Sequence, residues 1–106
     1  MRRVPRVIHQ IWLNLVDNDA HGCVPDKYLE MQRSWQIHYP TWTYRCWHNT
    51  QANEFMQRHY PQLWHKYAHV AVSIQRVDML RICVLNVFGG MYADLDTICT
   101  RPLTFV

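Results

Sequence analysis

Short apolar runs alternate along this chain with longer segments in which apolar residues recur at helical spacing. The first run, 4–15, is rich in β-branched and aromatic residues and ends at the polar sequence "DND". The second is "TWTYRCW", Thr41 to Trp47, and the third is "MYADLDTI", Met91 to Ile98. Runs of this length and composition, bounded by turn-forming residues, predict three strands.

One helix is predicted between the first two strands and three more between the second and the third. Pro25 begins the first helix, whose apolar residues keep helical spacing until Pro40 ends it. The others span 49–60, 63–71 and 73–88, and the last ends at Gly89-Gly90. The stripe of this last helix that is expected to face the core comprises Ile74, Val77, Leu80, Val84 and Val87.

The order of these elements predicts an α/β fold. Parallel strands need crossover connections, so strands separated by helices favour a mostly parallel, Rossmann-like sheet with helices packed on it. A chain of 106 residues is long enough for one domain, 1–106, with a modest core.

Composition narrows the possible functions. Apolar residues make up 49% of the chain, which argues against disorder, and the net charge of +3 comes from scattered residues, which argues against a nucleic-acid surface. With no apolar segment near the roughly 20 residues of a membrane span and no clear signal peptide, we expect a soluble, cytoplasmic protein. Four cysteines without zinc-site spacing are interpreted as small apolar core residues: Cys23, Cys46, Cys83 and Cys99.

Two aspartates follow an apolar run and a glycine pair in "GGMYADLDT", Gly89 to Thr97. On a strand, residues two apart point to the same side, so Tyr92, Asp94 and Asp96 would share a face, with the backbones of the aspartates about 6 to 7 Å apart. Two carboxylates at the carboxyl end of a parallel strand suit Mg²⁺ or Mn²⁺. The alternative is a solvated turn with an Asx hydrogen bond.

Three further residues have two interpretations each. Asp78 and Arg81, three residues apart on the preceding helix, form either a surface ion pair or, beside Ile82 and Leu85, a pair among apolar residues that is used for binding. Trp12, at the end of the first strand, belongs either to the core or to a surface on which a nucleobase stacks.

Four segments together carry a family pattern: "VPRVIHQIW" at 4–12, "SW" at 34–35, "TYRCW" at 43–47 and "VDMLRICVLNVFGGMYADLDT" at 77–97. In this order and at this spacing they resemble the glycosyltransferases with a DXD-type sugar-binding region. That family includes initiating outer-chain mannosyltransferases, capsular sugar transferases and, more remotely, large glucosylating toxins. The chain departs from the family at Val77, where a small or hydroxyl residue is usual.

The resemblance implies a GT-A fold, of which this chain would be the N-terminal, nucleotide-sugar-binding half. It implies transfer of a hexose from a UDP- or GDP-sugar, with retention at the anomeric carbon and with Mn²⁺ or Mg²⁺ as cofactor. The residues implied for the donor are Trp12, Asp78, Arg81, Tyr92 and Asp94, and those implied for the metal are Asp94 and Asp96.

Each of these residues has an implied role. Trp12 would stack on the base, and Asp78 and Arg81 would hold sugar hydroxyls. Asp96 would bind the metal, and Asp94 would reach the ribose and the sugar directly or through the ion. The acceptor is a glycan or another molecule that the sequence does not identify.

Two other functions fit part of the pattern. A catalytically silent module for nucleotide sugar or metal would act only in association with another chain, and an unfinished sheet with an exposed edge strand favours homo-oligomerisation. A metal-dependent phosphoryl hydrolase would use the same two carboxylates but leaves the "IHQIW" segment and the Asp78–Arg81 pair without a role.

Overall fold

A computed structural model describes residues 4–13 and 24–102. In chain order the elements are β1 Val7–Ile11, a 3₁₀ turn Asp26–Tyr28, α1 Leu29–His38, β2 Thr43–Trp47, α2 Asn49–His59, α3 Pro61–His69, α4 Ser73–Phe88 and β3 Met91–Tyr92. Cys23 and the last two positions of the predicted first strand, Asn14 and Leu15, lie outside the described residues.

The three strands form a parallel sheet in the order β2-β1-β3. β1 is central and pairs with β2 from Val7 opposite Thr43 to Ile11 opposite Trp47. On its other side it pairs with β3 only at Ile8–Met91 and His9–Tyr92. The prediction of an α/β fold with a parallel sheet and helices in the crossovers is therefore confirmed, and the arrangement is consistent with part of a GT-A-like domain.

The sheet separates two apolar clusters. The larger cluster packs one face of the sheet against α2, α3 and α4, and its most buried members include Trp47, Met56, Tyr67, Leu80 and Val84. The smaller cluster lies on the α1 side and contains Ile8, Tyr39 and Cys99 with Trp35 and Trp42 packed against it. Alternate residues of β1 thus contribute to opposite faces, as a strand covered on both sides requires.

β3 is shorter than predicted. Of the expected strand Met91–Ile98, only Met91 and Tyr92 are in the sheet, although the Ala93 N–H still donates to the His9 carbonyl at 3.0 Å. The chain then turns, because the Asp94 carbonyl accepts from both the N–H and the hydroxyl of Thr97, at 3.1 and 2.6 Å. Asp94 and Asp96 therefore lie at a turn. The prediction that they share one face of a strand is wrong, and the alternative of a turn is correct.

The glycine pair ends α4 and starts β3 with positive φ angles of 67° at Gly89 and 91° at Gly90. The N–H of Gly89 donates to the Leu85 carbonyl at 2.8 Å and closes the helix. A Cβ at Gly90 would collide with the carbonyl of Val7. The second glycine therefore allows the backbone after the helix to approach β1 closely.

The core stripe predicted for α4 is only partly correct. Leu80 and Val84 are fully buried, and Cys83 joins them, because the buried face follows positions 80, 83 and 84. Ile74, in the first turn of α4, is 69% exposed, and Val87 is also exposed. None of the helices in residues 4–13 and 24–102 has the length and apolar character needed to cross a membrane.

Candidate functional site

A cavity of about 320 Å³ lies beyond the carboxyl ends of β1 and β3. The end of β1, the segment after β3, the first turns of α4 and the 3₁₀ turn before α1 form its walls, with these residues: Ile11, Trp12, Leu13, Tyr28, Ser73, Ile74, Val77, Tyr92, Asp94, Leu95 and Asp96. This is the edge at which open α/β sheets bind ligands. Four of the residues singled out in the sequence, Trp12, Tyr92, Asp94 and Asp96, thus meet in one cavity.

The two aspartates are the charged side chains in this lining. Both are exposed, while Ala93 and Leu95 beside them are buried, so the turn holds its apolar side chains in the fold and presents its carboxylates to the cavity. The Tyr92 hydroxyl lies close to the Asp94 carboxylate. Burial raises the pKa of Tyr92, and the neighbouring Asp94 raises it further, so the hydroxyl keeps its proton.

Trp12 closes the cavity on the β1 side. Its backbone N–H continues the ladder by donating to the Trp47 carbonyl at 2.8 Å, which fixes the direction in which the side chain leaves the sheet. The indole is half-buried and lies 6.0 Å from the Tyr28 ring, centroid to centroid, at 51°. Tyr28 comes from the 3₁₀ turn and was not predicted as a site residue.

Asp78 and Arg81 lie beside the cavity but do not line it. Their side chains form an ion pair of 3.0 Å and are 53% and 37% exposed, and the neighbouring Ile82 is 65% exposed. Of the two interpretations of this pair, the surface ion pair is the one observed, and its use for binding stays a prediction. The Arg81 guanidinium carbon lies 5.4 Å from the centre of the Tyr92 ring, so the pair reaches the site through that ring.

The turn that carries the aspartates is held from the opposite side by residues that were not predicted as site residues. Gln10 Nε2 donates to the Asp94 carbonyl at 3.1 Å, and Trp35 Nε1 donates to the Thr97 carbonyl at 3.1 Å. Just after the turn, the N–H of Cys99 donates to Ser34 Oγ at 2.8 Å. Gln10 belongs to the "IHQIW" segment and the other two to "SW", so both motifs have a structural role in holding this turn.

His9 and Gln10 are polar residues in the centre of the sheet, and both are fully buried. Trp47 Nε1 lies 3.1 Å from His9 Nδ1, and because an indole nitrogen only donates, Nδ1 must accept. His9 Nε2 then carries the proton and donates to the Gly89 carbonyl at 2.9 Å. His9 therefore ties β1 to β2 and to the end of α4, and burial lowers its pKa.

The residues present fit a hard divalent cation. Within the described ranges no three His, Cys, Asp or Glu side chains come together as a closed metal site. Two exposed carboxylates on one turn nevertheless match the way Mg²⁺ and Mn²⁺ are commonly held, by one or two carboxylates together with substrate phosphates and waters. Cys46, Cys83 and Cys99 are free thiols, and Cys83 and Cys99 are buried, as expected for core residues.

Comparison with known proteins agrees with this geometry. Residues 25–105 match the family model described as "Glycosyltransferase sugar-binding region containing DXD motif". The match covers most of the chain, so the chain belongs to this glycosyltransferase family. The family named from the four sequence segments is thereby confirmed.

Three relatives illustrate the similarity. "Inositol phosphoceramide mannosyltransferase 3" of Schizosaccharomyces pombe is 32% identical over 94% of this chain and 26% of its own length. "Mannosyl phosphorylinositol ceramide synthase CSH1" of Saccharomyces cerevisiae is 28% identical over 94% and 25%. "Initiation-specific alpha-1,6-mannosyltransferase" of Candida albicans is 26% identical over 93% and 26%. The chain thus spans about a quarter of the length of these relatives, and no solved structure matches it.

Proposed function

We propose that this chain carries the donor site of a metal-dependent, retaining glycosyltransferase that transfers a hexose from a UDP- or GDP-sugar. The observation that carries the proposal is the meeting of Trp12, Tyr92, Asp94 and Asp96 in one cavity at the ligand edge of the sheet. An aromatic ring on one wall and two carboxylates on another match the two ends of a nucleotide diphosphate held by a metal ion.

Each residue has a distinct role in this proposal. The Trp12 ring stacks on the base, and Asp94 and Asp96 hold Mn²⁺ or Mg²⁺ together with the diphosphate. Arg81, paired with Asp78 and placed against the Tyr92 ring, contacts the hydroxyls of the sugar. Tyr92 keeps its proton because its pKa is raised, so its hydroxyl is available as a donor to the nearby Asp94 carboxylate.

Positioning and electrostatics account for the chemistry in this proposal. When bound, the metal ion supplies positive charge that neutralises the diphosphate leaving group. The chain's own contribution is to hold the two carboxylates at a fixed place and to cover the base with Trp12, while Ile74, Val77 and Leu95 keep part of the cavity apolar.

The relatives favour mannose as the transferred sugar, because the three described above carry mannosyl transfer in their names. Inositol phosphoceramide, which appears in the name of the Schizosaccharomyces pombe relative, is the first acceptor to test. Because the chain spans about a quarter of that relative, activity is tested with the donor alone as well as with this acceptor.

A second candidate is a silent binding module that works only as an oligomer. β2 lies at the edge of the described sheet, next to β1 on one side only, and an edge strand of this kind favours pairing with a second copy. Light scattering at high concentration tests the oligomer, and a dispersed monomer contradicts it. The cytoplasmic location and the single domain 1–106 stay predictions.

Calorimetry separates the two candidates. A panel of UDP- and GDP-sugars is titrated into the chain with and without Mn²⁺, and release of sugar is then followed for the tightest binder. A transferase requires Mn²⁺-dependent binding and turnover, whereas binding without sugar release favours the silent module. If neither nucleotide binds with Mn²⁺ present, the proposed donor site is wrong.

A further inference from the structure

We propose that Gln10 is a positioning residue for the metal-binding turn, and that the Tyr44 hydroxyl holds it in the orientation needed. The proposal rests on the donor site proposed above and names a further residue on which that site depends. Gln10 does not line the cavity, and the hydrogen bond from its side chain to the lining goes to the Asp94 carbonyl, so its effect would pass through Asp94.

The orientation of the Gln10 amide follows from its two partners. The Asp94 carbonyl only accepts hydrogen bonds, so the Gln10 nitrogen must face it, at 3.1 Å. The amide oxygen then faces Tyr44, whose hydroxyl donates to it at 2.5 Å. Burial raises the pKa of Tyr44, so the hydroxyl keeps the proton that it donates. Both ends of the amide are therefore satisfied inside a fully buried side chain.

Three donors form hydrogen bonds with the Asp94 carbonyl, and they constrain the turn in different ways. The N–H and the hydroxyl of Thr97 come from three residues further along and close the turn on itself. Gln10 lies 84 residues away in the sequence, in the central strand. Of these three hydrogen bonds, the one from Gln10 joins the turn to the sheet. It therefore helps to fix the position of the Asp94 and Asp96 carboxylates relative to the sheet.

A polar pair at this place needs an explanation beyond packing. Burying an amide and a hydroxyl costs free energy that hydrogen bonding roughly offsets, and two apolar side chains of the same shape would fill the space at least as well. The Gln10–Tyr44 pair is hydrogen bonded to the backbone carbonyl of Asp94, whose carboxylate is a proposed metal ligand. We therefore expect its loss to lower metal affinity in addition to the stability that an unsatisfied buried amide costs.

The test removes the Tyr44 hydroxyl and leaves its ring. Tyr44→Phe frees the Gln10 oxygen, so the amide can rotate away from Asp94, and Mn²⁺ affinity should fall roughly 3- to 10-fold, the worth of one hydrogen bond. Affinity is measured by electron paramagnetic resonance titration of Mn²⁺ with whichever of UDP and GDP binds the wild type more tightly. Gln10→Met, which keeps the length of the side chain and removes the donor, should lower it at least as much.

Tyr60→Phe is the matched control. The Tyr60 hydroxyl, between α2 and α3, accepts a hydrogen bond from Asn86 Nδ2 on α4 at 2.8 Å, so this variant also removes one tyrosine hydroxyl bonded to a carboxamide. Neither residue lines the cavity. Its Mn²⁺ affinity should stay within about twofold of the wild type. Urea unfolding without metal reports the stability of all variants.

The outcomes separate this inference from the proposed function. If Asp96→Asn weakens Mn²⁺ binding while Tyr44→Phe and Gln10→Met bind as the wild type does, the positioning role is wrong and the donor site stands. An equal loss in Tyr60→Phe and Tyr44→Phe also overturns it, because general destabilisation would then explain both. If Asp96→Asn binds Mn²⁺ like the wild type, the metal site itself is wrong, and the role of Gln10 falls with it.

Discussion

The polar residues of β1 and those of the turn after β3 lie close together but differ in burial and in hydrogen bonding. His9 and Gln10 are fully buried, and both ring nitrogens and both ends of the amide have hydrogen-bond partners within the fold. Asp94 and Asp96 are exposed carboxylates at a cavity. The buried pair fixes where backbone segments lie, and the exposed pair remains available to a ligand.

In this part of the molecule, one set of polar residues holds the backbone in place and another set is available for binding. The partners of His9 and Gln10 include two carbonyls, of Gly89 and Asp94, that bracket β3 and the start of the turn. Changes at the exposed pair should therefore alter binding and leave stability intact, whereas changes at the buried pair should alter stability or the geometry of the turn. Variants of the two regions test this separation.

The largest effect is expected at the exposed pair. Asp94→Asn and Asp96→Asn each remove a carboxylate from the proposed metal site and should weaken Mn²⁺-dependent nucleotide binding roughly 100-fold, because losing a ligand should cost at least as much as losing a residue that only supports one. Because both side chains are exposed, the free energy of unfolding without metal should change by no more than about 0.5 kcal/mol. Calorimetry and urea unfolding measure the two quantities.

Glu54→Gln serves as the control for this pair, since Glu54 is an exposed carboxylate on α2 that does not line the cavity. It should bind Mn²⁺ and nucleotide like the wild type. A loss of stability in the aspartate variants as large as their loss of binding would contradict the separation of the two regions.

The next effect is expected at Trp12, which lines the same cavity. Trp12→Ala removes the ring proposed to stack on the base and should lower nucleotide affinity about 5- to 100-fold, while Trp12→Phe restores part of it. Pyrophosphate with Mn²⁺ offers no base to stack on, so its affinity should be the same in wild type and variants. Calorimetry with both ligands decides, and an equal loss for pyrophosphate would show that Trp12 supports the site only through packing.

The sequence predicted the elements best where local signals define their ends. α4 was predicted at 73–88 and is observed there, because a glycine with positive φ stops the helix. β3 was predicted too long because the alternation of Ala93 and Leu95 inside with Asp94 and Asp96 outside is the same in a strand and in this turn. The hydrogen bonds that decide between them come from Thr97 and from Gln10, and the second partner is 84 residues away.

The site was predictable to the extent that it lies at strand ends. Parallel strands bring their carboxyl ends to one edge, so Trp12 and the aspartates could be placed together from the sequence alone. Tyr28 and Ile74 could not, because they lie on helical segments whose placement at this edge of the sheet depends on tertiary packing. Nor could the sequence decide between the two interpretations of the Asp78–Arg81 pair, because a stripe of apolar residues does not show which side of a helix packs against the core.

The smallest effect is expected at the buried His9, and it concerns pH. Burial lowers the pKa of His9 below its ordinary value of 6.5, and the nearby Arg45 lowers it further, although the bond to Gly89 opposes this shift. Below pH 6.5 the unfolded chain therefore binds more protons than the folded one. The free energy of unfolding should be at its full value above that pH and fall as the pH drops towards the folded pKa of His9.

Urea unfolding between about pH 5 and 8 measures this dependence. Burial also lowers the pKa of His48, which adds to the dependence with the same sign, so the comparison needs single variants of both residues. His9→Gln should be less stable than the wild type at every pH, because Gln cannot reproduce both bonds of the ring, yet lose less on acidification. A wild-type slope in His9→Gln, together with a flat slope in His48→Gln, would assign the pH response to His48, just before α2, and not to the buried polar centre of β1.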